Sequence, residues 1–441
     1  MPSVDDMIIR KIQTTQKINV RKWGDGVNKT NKAPTCVLFD HEEKFVSFGY
    51  EAMNDFRLNP KEIDYSKWYY FEHFKIKLFK QEDIVTKETM LEESLAIQNP
   101  ESKKKMYAVD VFAAVISYLT GEVVKEEFMQ SKKHKGTKYK LEDIHWVITV
   151  PAIWDQNAKL FMQDAARKAG ILGKNLTLAL EPEAASIYCR RVAVGDSEDN
   201  EGCKAIAALG IGSKYVVLDQ GGGTTDITVY EVTGKNTLKE IHQACGGHWG
   251  GITVTAKFNN FLLRLLGNDV ITNVKINNPS DYYQLLYNFE HTKASFTEEH
   301  SKLPKDNQTL PLPFSWLDHF QKVTGCDLED TVKQSMYRSR VSVKRDKMRI
   351  TNELFRSFFD DSIKNIVKEM ENLLKKKKLE GVETILIVGG HSMSTILTNA
   401  INKSFGKAYK IVIPKNPDIA VMKGAVLFGF NSRMITSRVS Q

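Results

Sequence analysis

The stretch VVLDQGGGTTDITVYEV, residues 216–232, constrains the fold of this chain most strongly. An apolar strand ends at Asp219, three glycines and two threonines follow, and Asp226 opens a second, alternating strand. Because glycine has no Cβ, successive backbone N–H groups can turn toward one anion. Two carboxylates beside such a turn suit magnesium, which is held by few carboxylates together with water and substrate phosphates. The stretch therefore predicts a β-hairpin that holds the phosphates of a nucleotide and their metal ion.

The glycine triplet alone leaves an alternative open, which is a glycine-rich turn with acidic ends and no ligand. It is not a P-loop, because it lacks the Gly-Lys-Ser/Thr ending and leads into a strand instead of a helix. Gly389 and Gly390 follow the apolar strand ILIV and precede a helix, and Glu181 stands at another strand-to-helix junction. Both junctions suit a ligand beside the backbone or a helix N-terminus, although each is also common as an ordinary turn.

The rest of the chain alternates strand and helix patterns, which predicts an α/β fold in more than one layer. The strand HWVITV precedes a helix with Asp155 as its N-cap and Gly170 just past its end. Residues 268–350 predict a smaller subdomain of helices and loops, and residues 352–378 predict one long amphipathic helix.

The composition argues against several classes of protein. The 5 cysteines of the 441 residues are dispersed without a Cys-x-x-Cys pair, as in reduced intracellular proteins rather than zinc sites or secreted frameworks. The net charge of +8 is mild, and the basic runs 131–140 and 375–378 are predicted as a solvated loop and a helix end. We therefore expect no nucleic-acid partner. We also expect no membrane span and no secretory signal, and a cytoplasmic location with nuclear access left open.

Several segments, taken in order, resemble the nucleotide-binding domain of the heat-shock 70 kDa protein family, within the superfamily of actin and hexokinase. They are VITVPAIWDQNAKLFMQDAARKAGI (147–171), LEPEAASIY (180–188), LDQGGGTTD (218–226), GGHWGG (246–251), FEHTKASF (289–296), IVGGHS (387–392) and NPDIAVMKGAVLFG (416–429). Details such as ITVPAIW and KGAVLFGF are most similar to the divergent type-12 branch of that family. The resemblance implies an α/β, two-lobed actin-like ATPase fold of duplicated ribonuclease-H-like domains, with incomplete N-terminal strands.

The resemblance also implies a division of the chain. Lobe I is expected in residues 1–210, with residues 410–441 packing back onto it. Lobe II is expected in residues 211–409 and includes the smaller helical subdomain at about 253–350.

The resemblance implies ATP or ADP with Mg²⁺ as the bound group and assigns a role to each matching residue. Asp219 and Asp226 would bind magnesium through water. Glu181, Lys75 and Asp226 are the implied catalytic residues, with Lys77 as the alternative to Lys75; a lysine here would neutralise charge on the transferring phosphoryl group. The implied nucleotide-binding residues are Gly221, Gly222, Gly223, Thr224, Gly250, Glu290, Lys293, Gly389, Gly390, Met393 and Asp418.

Three departures from the family pattern bear on function. No Asp-x-Gly-Thr-Thr hairpin, the family's first phosphate motif, precedes KWGDG, and Met393 stands where the family has an arginine on the adenine. After the last helix, the sequence runs to Gln441 without a peptide-binding sandwich or lid. Since losing one well-placed electrostatic group costs about 10²- to 10³-fold in rate, we expect a chaperone-like nucleotide-binding protein with weak or absent hydrolysis.

Two other classes of function remain as alternatives. One is a nucleotide-free pseudo-ATPase that acts as an interaction scaffold, and either reading implies protein partners of unspecified identity. The other is a small-molecule kinase on the same fold, which would need polar substrate-binding residues in the first lobe; the sequence shows no such set.

Overall fold

The computed structural model of the protein describes residues 18–24, 29–58, 67–79, 85–94, 104–125, 140–191 and 201–439. Its strands are β1 (Cys36–Phe39), β2 (Phe45–Phe48), β3 (Tyr69–Glu72), β4 (Met90–Glu92), β5 (Lys105–Tyr107), β6 (Trp146–Val150), β7 (Leu176–Leu180), β8 (Lys214–Gln220), β9 (Thr225–Gly234), β10 (Thr237–Gly247), β11 (Asn307–Pro311), β12 (Val341–Lys344), β13 (Lys347–Thr351), β14 (Val382–Val388), β15 (Lys410–Val412) and β16 (Ile435–Ser437). Its α-helices are α1 (Tyr50–Leu58), α2 (Phe74–Phe79), α3 (Ala108–Val124), α4 (Gln156–Lys168), α5 (Glu181–Arg191), α6 (Glu201–Ala207), α7 (Gly251–Leu266), α8 (Asn268–Asn277), α9 (Pro279–Ser295), α10 (Glu298–Ser301), α11 (Phe314–Thr324), α12 (Leu328–Gln334), α13 (Asn352–Ser357), α14 (Asp360–Leu374), α15 (Thr395–Phe405) and α16 (Ala420–Phe430).

The largest sheet has six strands in the order β15-β14-β8-β9-β10-β16. Successive residues of a strand point to opposite faces, and in β8 both faces are covered. Tyr215 and Val217 pack into the core on one side of the sheet, and Val216 and Leu218 pack into the core on the other. The predicted hairpin is therefore held at the centre of a sheet that is buried on both sides.

The register of this sheet places the ends of three strands together. β14 runs parallel to β8, with Val388 opposite Asp219. β9 runs antiparallel to β8, with Asp226 opposite Asp219. In open α/β sheets, ligands bind at the carboxyl ends of parallel strands. The two aspartates and Gly389, which follows Val388, consequently meet at one edge of the sheet.

A second parallel pair brings residues of the first half of the chain to the same region. In the β6–β7 pair Val150 lies opposite Leu180, so the segment after Val150 and Glu181 leave adjacent strand ends. The backbone N–H of Ile153 in that segment donates to Asp226 Oδ1 at 3.0 Å. The predicted N-cap follows, because the Asp155 side chain accepts from the first turn of α4; that prediction is confirmed.

The first half of the chain has its own core. The sheet β2-β1-β3 and helices α3 and α4 bury a cluster that includes Phe71, Phe112 and Phe161. β3 leads through His73, whose φ is +53°, directly into the short helix α2. This sharp turn aims α2, and with it Lys75, at the carboxyl ends of the two parallel strand pairs.

Residues 254–359 supply another core, in which α7 and α9 lie side by side. The Phe258 and Phe289 rings stack with centroids 4.0 Å apart, which fixes the relative position of the two helices. The prediction of helices and loops alone is wrong here, because a three-stranded sheet, β11-β13-β12, also lies in this subdomain. Its strands are short and half polar, and Arg345 at φ +54° forms the turn between two of them, so their pattern resembles a loop.

The single helix predicted over residues 352–378 is also wrong. The structure divides it into α13 and α14, with Phe358 and Phe359 between them. Both rings are buried, 4% and 1% exposed, in the subdomain core. Two successive side chains of one helix point about 100° apart, so the break lets both face inward. The acidic residues Asp360 and Asp361 then open α14, where negative charge is favourable.

The end of the chain contacts both halves of the molecule. α16 packs on α5 and β6, whereas β15 and β16 extend the six-stranded sheet. No helix within the described ranges is both long enough and apolar enough to cross a membrane. Of the two predicted basic segments, residues 131–139 lie outside the described residues, and Lys375 directly follows the end of α14.

Candidate functional site

The tip of the central hairpin, residues Gly221–Thr224, presents backbone donors. The Gly221 N–H donates across the turn to the Thr224 carbonyl at 2.9 Å. For the N–H groups of Gly222, Gly223 and Thr224, no backbone acceptor is found in the described part of the chain. Gly222 is exposed and Gly223 and Thr224 are half-buried, so these adjacent N–H groups are open to solvent and form a nest that an anion can reach.

The carbonyl groups of the same tip hold the start of α7 against the hairpin. Those of Gly221, Gly222 and Gly223 accept from the N–H groups of Gly251, Ile252 and Gly250 at 3.3, 2.9 and 3.4 Å. These carbonyl groups thus accept hydrogen bonds from N–H groups at the start of α7, which have no acceptor within the helix itself. A Cβ on Gly250 would lie 2.6 Å from the Gly221 oxygen. Close packing against the hairpin therefore explains the glycine at 250, whose nucleotide contact stays a prediction.

Asp219 and Asp226 form a buried pair, 4% and 1% exposed. Burial, followed by the neighbouring Glu181 carboxylate, raises the pKa of Asp219 to about 8 and that of Asp226 to about 7. The Lys32 and Lys75 ammonium groups act on Asp219 in the opposite direction. These two ammonium groups do not offset burial and the Glu181 carboxylate, and a divalent cation would add the positive charge that stabilises both carboxylates.

The structure also separates the two candidate lysines of α2. Lys75 Nζ lies 2.6 Å from Glu181 Oε1 and 5.6 Å from the centroid of the Trp154 ring. Lys77 Nζ turns away and donates to Ser94 Oγ at 2.6 Å. A Cβ on Gly223 would meet the Ile76 side chain at 2.4 Å, so α2 touches the hairpin tip. Lys75 is therefore the lysine that lies beside Glu181 at the site.

The Gly389–Gly390 turn packs directly on the aspartate pair. Gly389 has φ +91°, and a Cβ on it would lie 2.3 Å from the Gln220 oxygen and 2.5 Å from Asp219 Oδ1. Glycine is required here both by the backbone angle and by the approach of Asp219. Beyond this turn, Asp418 Oδ2 accepts from the Asn31 amide at 2.8 Å, and Met393 is 64% exposed.

Glu290 and Lys293 meet at the start of α7. Lys293 Nζ lies 2.6 Å from Glu290 Oε2 and donates to the Gly251 carbonyl at 3.2 Å and to Thr255 Oγ1 at 3.0 Å. Thr255 also donates to Glu290. The structure thus brings two of the predicted nucleotide-binding residues, Glu290 and Lys293, into one cluster with Thr255, which the sequence analysis did not single out.

His391 is a second residue that the sequence analysis missed. It follows Gly390, is 9% exposed, and its Nε2 has no hydrogen-bond partner within the described residues. Burial, and to a lesser extent the Lys293 ammonium, lowers its pKa to about 4, so the ring is neutral at pH 7. Its place after a strand and a Gly-Gly turn was the signal available in the sequence.

The donor set fits magnesium held through water. Within the described residues, no group of three or more Asp, Glu, His or Cys side chains converges so that it could ligate a metal ion directly. Two carboxylates beside an anion-binding tip are what Mg²⁺ uses when water and phosphate oxygens complete its coordination. Asp219 and Asp226 are the residues that would hold it.

Comparison with known proteins identifies the family. The sequence model of the Hsp70 protein family matches residues 26–345, well over half of the chain. The chain belongs to the Hsp70 family. Human heat shock 70 kDa protein 12A is 31% identical to it, over 96% of this chain and 67% of that protein. Human heat shock 70 kDa protein 12B is 31% identical, over 93% and 64%. The chaperone protein dnaK of Guillardia theta is 26% identical, over 76% and 44%.

These relatives confirm the predicted type-12 branch and the actin-like, two-lobed α/β ATPase fold. This Hsp70 chain spans about two thirds of the length of its type-12 relatives, 67% and 64%. An Hsp70-like, ATP-binding class of protein follows from the family. The roles of single residues, and hydrolysis itself, stay predictions.

Proposed function

We propose that this chain binds Mg·ATP and Mg·ADP between its two lobes as a chaperone-like regulatory protein, with weak or absent ATP hydrolysis. The observation that carries the proposal is the buried Asp219–Asp226 pair next to the unpaired N–H groups of the hairpin tip. An anion nest and a metal-binding acid pair at one strand end are the two halves of a Mg·phosphate site. Family membership supports the same ligand.

The residues of the site divide into two functions. The hairpin tip would hold the phosphates by N–H donors, and the Asp pair would hold magnesium, which when bound neutralises charge on the phosphate oxygens. On the nucleoside side, Glu290, Lys293 and the Gly389–Gly390 turn would receive the ribose and base. His391, neutral and buried, adds a polar nitrogen next to that turn.

Weak hydrolysis is proposed from the groups that would orient water. Lys75 and Glu181 are engaged with each other at 2.6 Å, so each partly cancels the charge of the other. Positioned electrostatic groups supply most of the acceleration in phosphoryl transfer. A site that binds well and turns over slowly is the expected result.

The alternative function is a nucleotide-free interaction scaffold. The raised pKa values of Asp219 and Asp226 favour it, since a pair that keeps a proton near neutral pH holds a cation less well. Met393 is exposed at the position where the family has an arginine that stacks on adenine, and this difference also favours the scaffold.

We also propose the lobe boundaries 1–210 and 211–409, a subdomain at about 253–350, and a cytoplasmic location. Of residues 410–441, which were expected to pack back onto lobe I, α16 packs on α5 and β6, whereas β15 and β16 belong to the sheet that carries the hairpin, so only α16 is assigned to lobe I. Lobe I would then carry Lys75 and Glu181 to the site, and lobe II would carry the hairpin. Protein partners are proposed without a specified identity.

Isothermal titration of the protein with Mg·ATP and Mg·ADP tests the main proposal. We expect saturable binding, a raised melting temperature, and phosphate release near the background rate. At a nucleotide concentration 100 times the Kd, binding stabilises the fold by about 2.7 kcal/mol. No heat at millimolar nucleotide, together with an unshifted melting temperature, would overturn the proposal in favour of the scaffold. Fast phosphate release would overturn the claim of weak hydrolysis.

A further inference from the structure

Lys32 reaches the candidate site from a segment outside the motifs described above. Its Nζ lies 3.4 Å from the point where a Cβ on Gly390 would stand, above the Gly389–Gly390 turn. The preceding residue of the turn, Gly389, lies against the aspartate pair, because its Cβ would stand 2.5 Å from Asp219 Oδ1. Lys32 therefore lies at the mouth of the region bounded by the aspartate pair and this turn.

The segment that carries Lys32 is anchored on both sides. The Asn31 amide donates to Asp418 Oδ2 at 2.8 Å, and Thr30 Oγ1 donates to the Lys32 carbonyl at 2.6 Å. Thr30 and Trp23 also exchange two backbone hydrogen bonds of 2.9 Å each. These contacts hold the backbone of Lys32 in place, so its position over the turn is set by tertiary structure.

The charge balance around the site leaves Lys32 available. Asp219, Asp226 and Glu181 bring three carboxyl groups, and Lys75 is already paired with Glu181. Lys32 is exposed, and no carboxylate within the described ranges lies within ion-pair distance of its Nζ. An ammonium group that extends from an anchored backbone to the Gly389–Gly390 turn, without a carboxylate partner in the described part of the chain, is arranged to meet a negative ligand.

We propose that Lys32 is an additional phosphate-binding residue, which contacts the phosphates of a nucleoside di- or triphosphate held at the Gly221–Thr224 tip. The inference rests on the proposed nucleotide binding and adds a cation from the first half of the chain. The hairpin would supply backbone N–H groups to the phosphates, and Lys32 would supply a full positive charge from beside the Gly389–Gly390 turn.

The test compares Lys32→Ala and Lys32→Arg with Lys29→Ala, which removes an exposed lysine from the same segment. Titrations with Mg·ADP are run at low and high salt, and adenosine is measured by competition. We expect Lys32→Ala to weaken Mg·ADP about tenfold, or 1.4 kcal/mol. Because exposed charge interactions are screened by salt, the wild-type advantage should shrink at high ionic strength. Adenosine should be unaffected, Lys32→Arg should keep most of the affinity, and Lys29→Ala should match the wild type.

The outcomes separate this inference from the function on which it rests. If the wild type binds Mg·ADP and Lys32→Ala binds equally well, the role of Lys32 is overturned while nucleotide binding stands. If Lys32→Ala and Lys29→Ala weaken binding equally, the loss reflects the net charge of the segment and not a contact made by Lys32, and the inference also fails. A lowered melting temperature with unchanged Kd would mean that Lys32 only balances the charge of Asp219. If the wild type binds no nucleotide, both proposals fall together.

Discussion

Replacing Gly389 by alanine tests whether the Gly389–Gly390 turn is shaped by the aspartate pair. A left-handed backbone costs an L-residue about 1–2 kcal/mol. The new Cβ would also stand 2.3 Å from the Gln220 oxygen and 2.5 Å from Asp219 Oδ1, far inside contact distance. Forcing extra atoms into a packed region adds about 1–3 kcal/mol. We expect Gly389→Ala to lower the free energy of unfolding by about 2–5 kcal/mol.

Gly381 is the matched control, at the opposite end of β14. Its φ is +86°, and a Cβ there would meet nothing within 4 Å. Gly381→Ala should therefore show only the backbone cost of about 1–2 kcal/mol. The assay is urea unfolding followed by tryptophan fluorescence, with Mg·ADP titration as a second readout. Only Gly389→Ala should also lose nucleotide affinity, because its Cβ displaces Asp219. Equal destabilisation of the two variants with equal affinities would refute the close packing of this turn on Asp219.

Three further perturbations follow from the charged and titratable groups. His391 has a pKa of about 4 when folded against 6.5 when exposed, so at this residue the unfolded state binds more protons between these values, and the contribution of His391 to stability falls as pH drops from 6.5 to 4, opposite in sign to that of Asp219 and Asp226; in denaturation measured against pH, the stability of the wild type relative to His391→Gln should therefore decrease over this range. Lys75→Ala should weaken Mg·ATP binding in titrations, whereas Lys77→Ala, whose ammonium group donates to Ser94 and does not lie beside Glu181, should not. Arg438 holds the fully buried Glu183 through two hydrogen bonds of 2.6 and 2.9 Å, so Arg438→Ala should lower the unfolding midpoint markedly, and an unchanged midpoint would argue against that pair.

The hairpin and its acids could be read from the sequence because their information is local. Three glycines between Asp219 and Asp226 specify a turn, and alternating residues on either side specify the strands. The Asp155 cap and the strand before it were readable for the same reason. Family resemblance then supplied the wider arrangement of lobes, which no local pattern contains.

Other features depended on contacts between distant segments. The sequence does not distinguish Lys75 from Lys77, which stand two residues apart in the same short helix. Only the packing of α2 on the hairpin shows that Lys75 lies beside Glu181. His391 could be seen as polar, but its burial depends on segments far along the chain. The break between α13 and α14 arises because Phe358 and Phe359 both pack into one core. The amphipathic pattern of the segment does not show that both side chains are buried.

The central claim is that Asp219 and Asp226 hold the metal of a bound nucleotide. The most direct measurement is the Kd for ADP with magnesium and with EDTA, in the wild type, in Asp219→Asn, and in Asp346→Asn as a control at an exposed turn. The wild type and Asp346→Asn should bind ADP at least about tenfold more tightly with magnesium, a gain of 1.4 kcal/mol. Asp219→Asn should lose that gain. An undiminished magnesium dependence in Asp219→Asn would contradict the account.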